Sequence, residues 1–211
     1  MKPKLLFGLA LVLSGHCLAA IVYPKAPDGG QQMVLEFVRQ ILQAHPDGPG
    51  LSVRGLKIED LNVAMPHRAY GVGANDLASG HLLSAATSNS WQYILLHGTN
   101  SVGAAQLLAD EKTAKTEKCI ALYETDHSAE ALWVAEQLPQ IKKEDYEFRF
   151  LSAPAVYFQA VWLHGKSDDI IIPVGPTFNR WNAYQPYSES QMIKLLQPEA
   201  KRVLKAPALI R

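Results

Sequence analysis

Cysteine is almost absent from this chain: there are two, Cys17 and Cys119, in 211 residues. Cys17 lies in a stretch that reads as a removable leader, and one remaining thiol cannot close an internal disulfide, so the fold must rest on its core alone. Cys119 sits in the apolar run Lys118-Cys-Ile-Ala-Leu-Tyr123 and is expected to be a buried, unreactive thiol. An excess of either charge is also missing, with 20 basic against 20 acidic residues. No basic stripe is present of the kind nucleic-acid binders carry, so nucleic acid is not an expected partner. Long apolar runs are lacking too. The longest, Leu5 to Leu13, is about half of what a bilayer span requires, and no stable membrane span is expected in the mature chain.

The common signatures of motif-borne chemistry are absent as well. No G-x-S-x-G stands in the sequence to give the run Leu95-Leu-His-Gly-Thr99 a nucleophile to serve. There is no H-E-x-x-H, no C-x-x-C and no phosphate-binding P-loop. Gly71-x-Gly73 lacks the third glycine and the strand–helix setting of a dinucleotide site. No cofactor is implied.

What is present begins with an address. Lys2 and Lys4 form a basic head, Leu5 to Leu13 an apolar stretch, and Cys17-Leu-Ala-Ala20 a small-residue site for cleavage after Ala19 or Ala20. Residues 1–20 therefore read as a signal peptide and 21–211 as a single α+β domain with a C-terminal helical tail, periplasmic or secreted. A lipid anchor at Cys17 fits poorly, because His16 precedes it where a small residue belongs. Removing Lys2 and Lys4 takes the basic count from 20 to 18 against 20 acidic residues. With 48% hydrophobic and 19% charged residues, the chain has the composition of a globular domain able to bury a core.

Periodicity supplies the elements. Val34, Phe37, Val38, Ile41 and Leu42 recur at helical spacing, with Asp28 and Gln31 placed as a capping box and Pro46-Asp-Gly-Pro-Gly50 as the stop. Residues 51–80 show no clear period: Leu51–Val53 and Leu56–Val63 suit short strands or a helical turn, and Gly71–Gly80 reads as loop. Strands are expected at 91–97, 102–108 and 118–124, the last two as an antiparallel hairpin. A helix comes next over 128–138, capped by Asp126 or Ser128. Tyr146-Glu-Phe-Arg-Phe150 alternates cleanly, Pro154 marks a bulge or turn, and further strands lie at 156–163 and 168–174. Ser188 with Gln191 three residues on caps a last helix that Pro198 breaks or restarts. Strands in succession with single helices inserted point to α+β: an antiparallel sheet of about five or six strands, two or three helices, and the 31–45 and 128–138 helices packed on one face.

Two clusters carry candidate chemistry. Glu124, Asp126 and His127, at a strand end leading into a helix, combine carboxylates with an imidazole, and His97 and His164 also stand at strand ends; together they suit an acid–base pair or a divalent metal. Helix capping explains Asp126 equally well. The other cluster is Phe178, Trp181, Tyr184 and Tyr187, spaced by three and interleaved with Arg180, Asn and Gln. Flat apolar area beside hydrogen-bonding groups suits recognition, with Arg180, Trp181, Tyr184 and Tyr187 as the binding residues; the same rings can instead close an open end of the core. The expectation is an exported, non-catalytic protein that binds a protein or small-molecule ligand in the cell envelope through its sheet face and the 177–187 loop. The alternative is an envelope hydrolase built on the His/carboxylate or metal set.

Overall fold

A computed structural model describes residues 20–45, 53, 55–109, 116–123, 128–178 and 180–206. In chain order the elements are β1 (Ile21–Val22), α1 (Gly30–Ala44), β2 (Leu61–Gly71), α2 (Ala74–Ala78), β3 (Thr87–His97), β4 (Asn100–Ala109), β5 (Thr116–Tyr123), α3 (Ser128–Glu136), β6 (Tyr146–Ala153), β7 (Phe158–His164), β8 (Asp169–Pro173) and α4 (Glu189–Lys205). All eight strands join one sheet in the order β5-β4-β3-β2-β6-β7-β8, with β1 on β6. The α+β class stands, but the sheet is larger than expected and mixed. β2 and β1 both run parallel to β6, while every other pairing is antiparallel.

The strand that makes the difference is β2, which sequence periodicity does not show. It pairs with β3 on one side and with β6 on the other, and so joins two antiparallel meanders. Pro66 within it argues against a central strand, because proline cannot donate to the ladder. The conflict is resolved by a bulge: the β2–β3 register shifts between Ala64 and His67, and Met65 takes φ 50°. The inserted length reverses the facing of the residues after it. Leu61 and Val63 pack under α1, whereas beyond the bulge Arg68 lies over the Trp91 ring on that face and His67 turns to the other, edge-on to Phe148.

The helices do not share a face. α1 packs Val34 and Val38 over Tyr93 and Leu95 of β3 and Ala105 and Leu107 of β4, and also lies against β2 and β5. On the same side α4 and α2 cover the β6–β8 end with Met192, Leu196, Ala200 and Leu77 over Leu151, Ala160 and Trp162. α3 lies on the opposite side, Ala131 and Ala135 meeting Phe148, Val161, Leu163 and Ile172. Alternation along β6 dictates this split: Tyr146 and Phe148 face α3, while Leu151 and Ala153 face α4. The chain thus has both faces of the β6–β8 end covered, and over β2–β4 the α3-side face carries no helix among the described residues.

Local signals are partly realised. Ser188 and Gln191 form the reciprocal capping box on α4. The helix continues through exposed Pro198, because Leu196 and Ala200 on either side are locked in the core. Asp28 does not cap α1. The cap is Gly29 in the left-handed region, and Gln31 instead donates to the Val63 carbonyl at 2.9 Å, tying α1 to β2. Gly30 explains the close seating: a Cβ there would lie 2.9 Å from Tyr93 Cζ and closer still to Tyr93 Oη. Among the described residues no helix is long and apolar enough to cross a membrane.

Two predictions concern this framework. Gly30→Ala should lower stability by about 1–3 kcal/mol through overpacking against Tyr93, while Gly71→Ala, whose Cβ meets nothing within 4 Å, should stay within about 0.5 kcal/mol; urea unfolding of both checks this. His67 is fully buried, and burial pushes its imidazole down to about 4. Its Nδ1 lies 2.7 Å from the Met65 carbonyl and Nε2 3.3 Å from Gln92 Oε1. A neutral ring donates from Nδ1 to the carbonyl, so Nε2 is the acceptor and Gln92 must turn its amide NH₂ towards it. In the unfolded chain the same imidazole protonates near pH 6.5, so between pH 6.5 and 4 the unfolded state binds more protons. Stability that is complete above about pH 6.5 is therefore lost as the pH falls towards 4, by about 3 kcal/mol in all. Unfolding free energies measured across that range should show the loss, and His67→Gln should flatten it.

Candidate functional site

Along the uncovered face, strand positions expected to be apolar carry hydroxyls and amides. Gln106 on β4 donates from Nε2 to Ser90 Oγ on β3 at 2.8 Å, and Tyr123 on β5 donates to Gln106 Oε1 at 2.6 Å. Burial pushes the Tyr123 phenol above its ordinary range, so it is a neutral donor. Across the sheet, Ser152 on β6 pairs in register with Gln159 on β7, and Ser152 Oγ donates to the Tyr70 carbonyl at 3.3 Å. Ala69 and Gly71 of β2 form a low floor between these two polar banks. The result is a groove of about 600 Å³ that runs across the strands from Tyr123 to Gln159. No acidic residue, lysine, arginine or histidine lines it among the described residues.

At its β7 end the groove opens into a smaller, apolar cavity of about 310 Å³, with which it shares Ser152, Pro154 and Gln159. The walls there are Tyr157, Phe158, Pro176 and Phe178. Tyr157 and Phe178 are 68% and 57% exposed and meet edge to face, ring centroids 5.9 Å apart. Both occupy the left-handed backbone region, at φ 54° and 51°. Such a conformation costs on the order of 1–3 kcal/mol for a residue with a bulky side chain, and strain of this kind concentrates at ligand clamps. Arg180 braces the ledge. Its guanidinium donates to the Val156 carbonyl at 3.1 Å, lies 3.5 Å from Glu199 on α4 and reaches over the Phe178 ring.

The sequence candidates are distributed differently. Trp181 is 5% exposed and packs edge-on to Phe158, its Nε1 buried without a partner among the described residues. Tyr184 is half-buried on the α3 side, and its amide donates to the Pro173 carbonyl at 2.8 Å. Tyr187 is half-buried, bridges to Ile171, and accepts from the Asn182 amide at 3.2 Å. Arg180 is the member of the four that touches the aromatic ledge, and Phe178 is the ring from the 177–187 loop that reaches solvent beside the groove.

His97 is exposed at the β3–β4 turn. His164 is half-buried, its Nδ1 2.7 Å from Asp169 Oδ1, which also accepts from Trp162 Nε1 at 2.7 Å. β2 and β6 lie between the strands carrying the two histidines, a lateral separation of about 14 Å. They do not converge. Glu124, Asp126 and His127 lie outside the described residues. Among the described residues no group of three or more His, Cys, Asp or Glu side chains is placed to hold a metal ion. Cys119 is half-buried with its thiol pushed up to about 11 by burial, and it donates to the Gln106 carbonyl at 3.2 Å. That thiol stays protonated at neutral pH.

Sequence reasoning missed Ser90, Gln106, Ser152, Gln159 and Tyr157. For the first four the signal was polar residues inside otherwise apolar strands, which is more informative than any exposed apolar residue, whereas Tyr157 stands at the turn before β7. Comparison with protein-family models, with curated proteins and with solved structures returns no match for this chain.

Proposed function

We propose that this chain is an exported, non-catalytic binding protein that holds an uncharged ligand across the open face of its sheet and against the ledge of Tyr157 and Phe178. One observation carries the reading: an uncharged, hydrogen-bonding groove adjoins, across the shared Ser152, Pro154 and Gln159, an aromatic cavity whose two exposed rings are held in strained backbone. A cavity of a few hundred Å³ that combines apolar walls with a few convergent polar groups is the usual form of a small-molecule site. Export rests on the leader, with its basic head at Lys2 and Lys4 and its apolar Leu5–Leu13. The hydrolase reading has less support, since His97 and His164 stand on strands separated by two others.

The test is amide hydrogen exchange with a panel of neutral sugars, free amino acids and end-blocked short peptides. At least one class should protect residues 87–92, 104–108 and 150–159 together. Ser152→Trp, which fills the groove, should abolish that protection while shifting the melting temperature by no more than a few degrees. Protection confined to other segments, or none from any class, would remove the proposal.

A further inference from the structure

Resting on that reading, we infer that the occupant is a linear, neutral oligosaccharide, lying across the strands with one sugar ring seated in the Tyr157–Phe178 cavity. Length comes first. From Tyr123 on β5 to Gln159 on β7 the groove crosses five inter-strand intervals, about 24 Å, which suits an extended chain better than a single ring. The lining chemistry is next. Gln159 offers both a donor and an acceptor, and Gln106, Tyr123 and Ser152, beyond the bonds they already make, keep an amide hydrogen or oxygen lone pairs, which match hydroxyl groups that both donate and accept. A phosphate, sulfate or carboxylate would find no cation among the described residues lining the groove, and Arg180, beside the aromatic ledge, is already engaged by the Val156 carbonyl and Glu199. Sugar rings also have an apolar C–H face, which an exposed aromatic ring covers at low conformational cost.

An extended peptide is the main rival. A peptide gains most from adding to a sheet edge, where ladder groups are free. This groove crosses the face of the sheet, over strands β4 to β7 that are paired on both sides, so a peptide backbone would have only a few side chains to satisfy it. A lipid chain needs an unbroken apolar wall, and here the apolar groove residues Ala69, Val72 and Phe150 are interspersed with Ser90, Gln106, Ser152 and Gln159.

The experiment uses the full chain and calorimetric titration with neutral hexasaccharides of β-1,4-glucose, α-1,4-glucose and N-acetylglucosamine, beside an end-blocked hexapeptide of Ser and Gly. One hexasaccharide should bind with an affinity that changes less than about twofold between low and high salt, because no charge is involved. Tyr157→Asn and Phe178→Asn are the decisive variants. Asparagine adopts the left-handed region more readily than an aromatic residue, so both variants should fold as stably as the parent or more so, yet bind at least about tenfold more weakly. Gln106→Ala should weaken binding about fivefold, and Lys201→Ala, at an exposed position of α4, should not change it. Hexapeptide binding in the groove without any hexasaccharide binding would overturn the saccharide assignment and leave the binding reading standing. Hexasaccharide binding that both Asn variants retain would overturn the site. Absence of binding by every hexasaccharide and by the peptide would overturn the inference, and the hydrogen-exchange panel then separately decides the binding reading.

Discussion

The register of β2 is the constraint on which the remaining architecture depends. Its antiparallel pairing with β3 attaches the β3–β4–β5 meander, and its parallel pairing with β6 attaches the β6–β7–β8 meander. Because side chains alternate strictly along a strand, the irregularity at Met65–Pro66 decides what each half of β2 presents to each face. Without it, Leu61 and Val63 could not lie under α1 while Arg68 and Tyr70 lie on that same side further along. On the β6 edge, β1 pairs with the first part and β2 with the second. His67 occupies the junction, where Phe148 and the Met65 carbonyl hold a neutral imidazole.

The distribution of helices depends on the same register, and the groove depends on the helices. α1 and α4 lie at opposite ends of one face, with Arg149 stacked between the Trp162 and Tyr70 rings in the interval. α3 packs on Phe148, Val161, Leu163 and Ile172 at the β6–β8 end of the other face. The strip left open over β2, β3 and β4 has Ala69, Gly71, Ser90 and Gln106 at its inward positions. Their small and polar side chains offer a covering helix less apolar area than the Phe148, Val161 and Leu163 patch beneath α3 does. The strained turns at Tyr157 and Phe178 sit where the strip ends, on loops anchored by the Arg180–Glu199 pair and by the packed Trp181. Packed side chains beneath exposed, strained rings are in keeping with the proposed recognition role.

Much of the outer framework was legible. The alternation of Tyr146 to Phe150, the helical stripe of Val34 and Val38, the turn at Pro154 and the box of Ser188 and Gln191 are all local patterns with a local cause. The central strand was not, because a strand that alternates its facing midway and is interrupted by Pro66 has no clean period to read. Trp181 and Phe178 illustrate the same limit within one loop. Both are aromatic residues in a polar setting, three positions apart, yet one is packed against Phe158 and the other projects beside the groove. Only the path of the backbone separates them.

By itself, then, the sequence determined the class of elements and their approximate places, the supply of apolar residues for a core, and the even balance of basic and acidic residues. Those properties come from composition and short-range periodicity, which act within a turn or a strand. The mixed sheet, the division of helices between its faces and the union of Ser90, Gln106, Ser152 and Gln159 in one groove were decided by tertiary structure. They depend on which strands pair and in what register. That is set by contacts between residues far apart in the chain, such as those that bring Gln106 and Ser152 to one groove, and no local pattern encodes their proximity.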